Sequence, residues 1–462
     1  MKIAMVSSEV VPFAKTGGLA DVAAALPLAL EYCGHEIIIV MPGYKCIHEA
    51  KLKITRVAKD ISVAQIGKEI KVYFIENKDY FYREGLYGDR NGDYTDNLER
   101  FAFFCRRTLD LLKEINFCPD IIHLHDWQAS LIAAYLKNLY FEQDFYTRIK
   151  TVLTLHNVGY QGVFAREEFS KLGLDWGLFD IDGFEFYNKI NLLKGGIVFA
   201  DYITTVSPTY ANEIQTRELG FGLEGLLKLR KNVLSGILNG VDYSVWDPNT
   251  DPLILHNYSL LNPQPKAFNK EDLQRSCGLP VDSRIPVFGI VSRLAEQKGF
   301  DILAQGLDDL AKLDLQLVIL GAGDLKYQEL LKAAAVKYPR AISLNLKFDD
   351  PLAHKIYAGS DIFLMPSKYE PCGLGQLISL RYGTIPLVFK TGGLADTINR
   401  NNGFVFSKYT KDDLLVCIKK AALAFKHKAK WEALVKNAME CNFSWKVSAD
   451  KYIQLYAKAK KK

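Results

Sequence analysis

Ser292-Arg293-Leu294-Ala295-Glu296-Gln297-Lys298-Gly299 sets two fixed cations directly behind the apolar run 286–291. Such a run reads as a strand, and ligands of α/β sheets bind at the carboxyl ends of strands. The planar fork of Arg293 and the point charge of Lys298 both suit phosphate oxygens. The plain alternative is a surface ion pair, with Glu296 as the nearest acidic partner. Ser367-Lys-Tyr-Glu-Pro-Cys-Gly-Leu-Gly-Gln376 follows the run 362–365 in the same way. Pro371 keeps Glu370 extended or turned, and a carboxylate just before a helix N-terminus is stabilised as the anion. It can accept sugar hydroxyls or balance a developing oxocarbenium ion; its plainer use is as a helix cap. His156-Asn157 ends the run 151–155, and His123-Leu-His125-Asp126-Trp127 ends the run 121–124. Three histidines and an aspartate are thus expected at the mouths of neighbouring strands, as site groups or as structural ones.

One heptapeptide occurs twice: Lys15-Thr-Gly-Gly-Leu-Ala-Asp21 and Lys390-Thr-Gly-Gly-Leu-Ala-Asp396. Each copy lies between a candidate strand and a candidate helix. Glycines there admit a ligand close to the backbone, and a helix N-terminus offers unpaired N–H groups and positive dipole. A diphosphate fits such a loop. A tight turn required only by packing is the alternative, but two copies at equivalent places favour two ligand loops facing one cleft.

The elements that must hold these residues form two series. Apolar, β-branched runs at 3–6, 37–40, 121–124, 151–155, 202–206 and 233–237 make the first; runs at 286–291, 315–320, 342–346, 362–365 and 386–389 make the second. Helical periodicity fills most of the gaps, as at 19–32 and 327–336. Short apolar strands separated by helices predict parallel sheets covered on both faces, and therefore an α/β chain of two doubly wound, Rossmann-like domains. Residues 245–265 carry four prolines and little periodicity, and are expected to be the interdomain linker. The expected domains are 1–245 and 246–442, followed by a C-terminal helix at 443–462 that is free to pack back on the first or elsewhere.

Composition narrows the function classes. The 462 residues exceed a single core, and 49% hydrophobic with 24% charged is ordinary for a globular protein. Lys+Arg 58 against Asp+Glu 53 gives a net charge of only +5, spread along the chain, whereas a nucleic-acid binder gathers cations on one face. The tail Lys458, Lys460, Lys461, Lys462 reads as a solvated helix end. Eight cysteines form no CxxC pair and none has a histidine at metal-ligand spacing, as expected of free thiols in a reducing cytosol. No secretory leader and no apolar run of bilayer length is present, so the expected location is cytoplasmic, with no membrane partner. Gly321-Ala-Gly323 lacks the third glycine of a dinucleotide fingerprint, Asp180-Ile-Asp182 sits among loop residues, and Asp89-Arg-Asn-Gly-Asp93 lacks EF-hand spacing. No Gly-x-Ser-x-Gly elbow occurs.

Taken together the motifs resemble one family, the bacterial glycogen synthases and plant starch synthases. The resemblance rests on Ser7-Ser-Glu-Val-Val-Pro-Phe-Ala-Lys-Thr-Gly-Gly-Leu-Ala-Asp-Val22, Tyr94-Thr-Asp-Asn97, His125-Asp-Trp127, Thr154-Leu-His-Asn157, Thr205-Val-Ser-Pro-Thr-Tyr210, Asn239-Gly-Val-Asp242, the 292–299 stretch, Glu370-Pro-Cys-Gly373 and Thr391-Gly-Gly393. It implies the two-domain GT-B glycosyltransferase fold, an ADP-glucose donor, a glycogen or α-1,4-glucan acceptor and retention at the anomeric carbon. Carried onto matching positions, it puts Lys15 and Gly18 at the donor phosphates and Arg293 and Lys298 across the diphosphate. His156, Asn239, Glu370 and Cys372 surround the glucose. Gly373, Thr391, Gly392 and Gly393 complete the donor loops, and Tyr94 and Asp126 lie toward the acceptor. The catalytic set is His156, Arg293, Lys298 and Glu370. No metal or other cofactor is expected, because the two cations and helix N-termini can neutralise the leaving diphosphate. Arg293 and Lys298 are both expected to line a solvent-filled cleft. Ile378 stands where many related retaining transferases have a second Glu, and Gly375 where a Ser or Thr is frequent. A GT-B transferase for another sugar and a silent glucan-binding protein are the competing readings; the joint presence of Lys15, His156, Arg293, Lys298 and Glu370 speaks against silence.

Overall fold

The computed structural model describes residues 1–50 and 52–461; Lys462 of the basic tail lies outside the described residues. The chain divides into two units, Met1–Gly240 together with the segment from Trp445 onward, and Val241–Ser444.

The main sheet of the first unit has nine strands: β1 (Lys2–Val6), β2 (Glu36–Pro42), β3 (Thr55–Ala58), β4 (Ile61–Ile66), β5 (Ile70–Ile75), β6 (Ile121–His125), β7 (Lys150–Leu155), β8 (Tyr202–Thr205) and β9 (Leu234–Gly236). Their order is β9-β8-β7-β6-β1-β2-β5-β4-β3. The pairs from β9 to β5 are parallel, while β5-β4 and β4-β3 are antiparallel. The inner strands are buried along nearly their whole length, so they read as continuous apolar runs. The edge behaves differently: every residue of β3 is exposed, and β4 and β5 mix polar with apolar positions. The expected strand series omits these three strands, although β5 carries the buried apolar run 72–75, which sequence reasoning passed over.

The second unit holds six parallel strands: β10 (Val287–Val291), β11 (Gln316–Leu320), β12 (Ile342–Asn345), β13 (Ile362–Met365), β14 (Ile385–Phe389) and β15 (Phe404–Phe406). The order β12-β11-β10-β13-β14-β15 is the doubly wound 3-2-1-4-5-6 arrangement. The chain reverses direction across the sheet between β10 and β13, and the loops that follow those two strands open at that switch point. The two segments singled out for chemistry, 292–299 and 367–376, are these loops.

The expected linker is instead part of the second unit's core. Asp251 and Tyr258 are 2% exposed. The Asp251 carboxylate accepts from Tyr382 Oη at 2.6 Å and bonds His354 Nδ1 at 2.7 Å, and the Trp246 ring stacks on His354 with centroids 4.0 Å apart. Prolines deprive this strap of periodicity, yet buried polar anchors fasten it to the core. The unit boundary therefore falls at Gly240/Val241, ahead of the expected 245/246. At the other end it lies at Ser444/Trp445.

The helix Trp445–Lys460 belongs to the first unit. Tyr452 and Tyr456 are fully buried there, Ser448 Oγ donates to the Leu238 carbonyl at 2.6 Å, and Lys460 Nζ lies 2.7 Å from Asp120.

Candidate functional site

In the second unit, the segment after β10 is fastened on both sides. Leu294 bridges Gly323 beyond β11, which gives the Gly321-Ala-Gly323 turn a packing role. Lys368 N donates to the Gln297 carbonyl at 2.9 Å, which ties this loop to the one after β13. Gly299 takes φ +81°, and a Cβ there would stand 2.1 Å from the Pro366 carbonyl oxygen, so only glycine lets the two loops approach this closely.

This approach pairs Lys298 with Glu370. The ammonium donates to Glu370 Oε2 at 2.6 Å, and Ser367 Oγ donates to the same oxygen at 3.0 Å. The Glu370 side chain is 7% exposed and that of Lys298 20%. Lys298 is thus a partly buried partner of a buried carboxylate, not a solvent-lining cation as expected. Glu296, the anticipated acidic partner, pairs with Lys368 at 3.0 Å. Arg293 is exposed, and among the described residues no carboxylate lies within ion-pair distance of its guanidinium. Its charge is uncompensated at the switch point, where an anionic ligand would meet it.

The loop after β14 packs onto the Glu370 loop. Gly393 N donates to the Glu370 carbonyl at 3.1 Å, and Thr391 and Cys372 are buried. Gly392 has φ +42°, and a Cβ on it would meet the Glu370 carbonyl oxygen at 1.9 Å. Gln376, fully buried, donates from Nε2 to the carbonyls of Cys372 (2.9 Å) and Gly373 (3.0 Å). It is a framework residue that the motif contains and that sequence reasoning passed over. A Cβ on Gly375 would lie 2.7 Å from the Phe363 ring, which explains the absence of a larger residue there. Ile378 is a buried apolar member of the core.

The first heptapeptide copy is a different object. Lys15, Thr16, Gly17 and Gly18 are exposed, and a Cβ on either glycine would meet nothing within 4 Å. Its N–H groups are not all unpaired as anticipated. Glu9, 3% exposed, accepts from Thr16 N at 2.5 Å, Thr16 Oγ1 at 2.6 Å, Gly17 N at 3.2 Å and Tyr87 Oη at 2.7 Å. A buried carboxylate needs donors, and it takes them from the loop it shapes. Lys15 Nζ lies 2.8 Å from Asp21 at the start of the helix Gly18–Tyr32. Glu9 was legible only as the charged residue after β1; its reach over seven residues to Thr16 needed the fold.

Strands β6 and β7 are neighbours, and their ends bring the histidines together. His125 Nδ1 and His156 Nε2 share a hydrogen bond of 2.9 Å. His156 N donates to Asp126 Oδ1 at 2.7 Å, with Asp126 in left-handed backbone at φ 55°. Burial pushes the Asp126 carboxyl up to about 7 and the His156 imidazole down to about 3. His123 lies beside this pair, its ring centroid 4.3 Å from that of His125, but its hydrogen bonds go elsewhere: Nε2 to Thr154 Oγ1 at 2.6 Å, and Nδ1 to Tyr456 Oη at 2.8 Å. It is a structural bridge to the C-terminal helix. Asn239 is buried, with Oδ1 lacking a hydrogen-bond partner among the described residues. Tyr94 is held between the guanidiniums of Arg83 (4.8 Å) and Arg100 (5.0 Å), and its hydroxyl accepts from Gly85 N at 3.2 Å. Of the expected site residues, the first unit thus holds Lys15, Gly18, Tyr94, Asp126, His156 and Asn239. The second holds Arg293, Lys298, Glu370, Cys372, Gly373, Thr391, Gly392 and Gly393. Among the described residues, no helix is long and apolar enough to cross a membrane.

Residues 2–229 match the family model described as starch synthase catalytic domain, and residues 276–440 the model of glycosyl transferases group 1. The glycogen synthase of Geotalea uraniireducens is 49% identical, with 99% of this chain and 98% of that protein covered. The glycogen synthase of Thermosipho melanesiensis is 46% identical, with 100% of both covered. Among solved structures, the catalytic domain of starch synthase IV from Arabidopsis thaliana, bound to ADP and acarbose, superposes with a TM-score of 0.91 at 33% identity, covering 100% of this chain and 99% of that one. A sucrose-phosphate synthase from Thermosynechococcus elongatus, at 16% identity and a TM-score of 0.63 over 99% of this chain and 98% of its own, shares the fold. Two Rossmann-like units with these matches define a glycosyltransferase of the GT-B type. Within that class, the chain belongs to the glycogen synthase and starch synthase family.

Proposed function

We propose that this enzyme transfers glucose from ADP-glucose to the non-reducing end of an α-1,4-glucan, with retention at the anomeric carbon. The observation that carries the reading is the uncompensated Arg293 beside the Lys298–Glu370 pair at the switch point. The ADP and acarbose bound to the starch synthase relative support a nucleotide and a glucan-like ligand. A diphosphate entering beside Arg293 would draw the Lys298 ammonium as well. Both cations then act on the nucleoside diphosphate as the glycosidic bond breaks. Glu370, released from Lys298, balances the oxocarbenium charge. Lys15 and Gly18, Gly373, Thr391, Gly392 and Gly393 serve the phosphates, and His156, Asn239 and Cys372 the glucose. Tyr94 and Asp126 serve the acceptor. The acceptor hydroxyl arrives on the face from which the diphosphate departs, and the departing phosphate takes its proton. No divalent metal is needed, since two cations and backbone N–H groups neutralise the leaving group. The test is incubation with glycogen and either ADP-glucose or UDP-glucose, with nucleotide release and the anomeric form of the new linkage measured, in EDTA and in magnesium. Activity abolished by EDTA and restored by magnesium would refute the metal-free reading.

A further inference from the structure

His125 is fully buried, and its Nε2 has no hydrogen-bond partner among the described residues, while its Nδ1 is bonded to His156 Nε2 at 2.9 Å. A neutral imidazole carries one proton. On Nε2 that proton would be an orphaned buried N–H; on Nδ1 it makes the observed bond and leaves only a lone pair unmatched, the cheaper arrangement. Burial holds both rings neutral, with His125 driven well below its ordinary value and the neighbouring His123 ring 4.3 Å away adding to the penalty on charge. His156 Nε2 is then the acceptor, so the single proton of His156 sits on Nδ1. That atom has no hydrogen bond to any described residue, and His156 as a whole is partly exposed.

We propose that His125 is a positioning residue, which fixes His156 as the Nδ1–H tautomer so that it presents a neutral hydrogen-bond donor, not a base, to the sugar being transferred. The proposal rests on the reading of His156 as a glucose-site residue. It explains why the pair joins a residue at the end of β6 to one just beyond β7: the register of the two strands sets the imidazole, and Asp126 fixes the backbone beneath it.

The full-length enzyme with His125→Asn keeps an N–H close to the position of Nδ1, whereas His125→Leu keeps the bulk without the donor. His125→Leu should lose about tenfold or more in kcat, the worth of one positioned hydrogen bond, with the thermal shift induced by ADP unchanged. His125→Asn should recover most of that loss. Nitrogen-15 histidine NMR, assigned with His156→Gln, should show His156 protonated on Nδ1 in the wild type and in His125→Asn, and mixed in His125→Leu. Near-normal turnover of His125→Leu, equal losses in both variants, or wild-type His156 protonated on Nε2 would each overturn the proposal. If His125→Leu does not fold, the wild-type tautomer and the Asn variant decide. Full activity in His156→Ala would remove the glucose-site reading itself, a result separate from the tautomer.

Discussion

Arg293 and Lys298 come from one eight-residue segment but stand in different electrostatic settings. Each variant, Arg293→Ala and Lys298→Ala, should lower kcat about 10²–10³-fold, roughly 3–4 kcal/mol, if both charges act on the leaving diphosphate. Stability should separate them. Arg293→Ala removes an exposed, unpaired cation and should leave thermal unfolding unchanged. Lys298→Ala strands the buried Glu370 carboxylate and should cost roughly 3 kcal/mol, read by chemical denaturation. Equal stability of the two variants would deny the ion pair. The sequence places both cations behind one strand, but which of them is paired depends on a carboxylate 72 residues away. Titration supplies a second residue-scale prediction. Burial lowers His123 and His156 from 6.5 to about 3, holds His125 well below its ordinary value, and raises Asp126 from 3.8 to about 7. Between about pH 4 and 6.5, unfolding lets three imidazoles take up protons while Asp126 gives one up. The unfolded state therefore binds about two more protons through these groups, and their contribution to stability is lost as pH falls below 6.5. Melting temperatures should drop between pH 7 and pH 5; a flat or rising profile would contradict the burial of the histidines.

The two heptapeptides show how far identical residues are redirected by the elements around them. The first stands open at the start of the helix Gly18–Tyr32; the second is buried against the Glu370 loop. Gly18→Ala should melt like the wild type while raising the donor KM. Gly392→Ala should lose more than about 2 kcal/mol, because a Cβ meets a carbonyl and the backbone stands at φ +42°. Matching melting curves for the two variants would refute the contrast. The repeat was legible as a pair of strand-to-helix turns, and so were the inner strands, because parallel strands buried on both faces are continuous apolar runs. Three features escaped. The exposed β3 and mixed β4 offer no such run, and the buried run 72–75 of β5 was passed over. The strap over 245–265 looks like a linker until Asp251 finds His354 and Tyr382. Glu9 capping the first loop is a contact that only the fold makes; that His125 and His156 end neighbouring strands was legible, but the bond between them was not.

The first unit joins Met1–Gly240 with the segment from Trp445 onward, so its core draws on the helix Trp445–Lys460. Buried Trp445, Tyr452, Tyr456 and Ala459 supply apolar surface, and Tyr456 supplies the hydroxyl for His123. Tyr456→Phe should cost about 1–2 kcal/mol, since His123 Nδ1 is then buried without a partner. Removal of residues from 445 onward should raise hydrogen exchange across β6 and β7 while sparing β10–β14, which have their own core. Uniform protection in the truncated chain would show that the helix is dispensable. That the chain would split into two doubly wound series was legible from the strand runs, and the family from the motifs. Where the chain crosses between units was displaced by the buried strap. At this scale the central claim is that the chain is an active glucosyltransferase. Lys15→Ala and Arg293→Ala should each weaken use of the donor. The most direct measurement is nucleotide release with glycogen present, from ADP-glucose and from UDP-glucose, in EDTA. The account predicts ADP released in step with α-1,4-linked glucose added to glycogen, and loss of that release in Arg293→Ala. Binding of ADP and glycogen by the folded protein, with no glucose transferred from either donor, would contradict it.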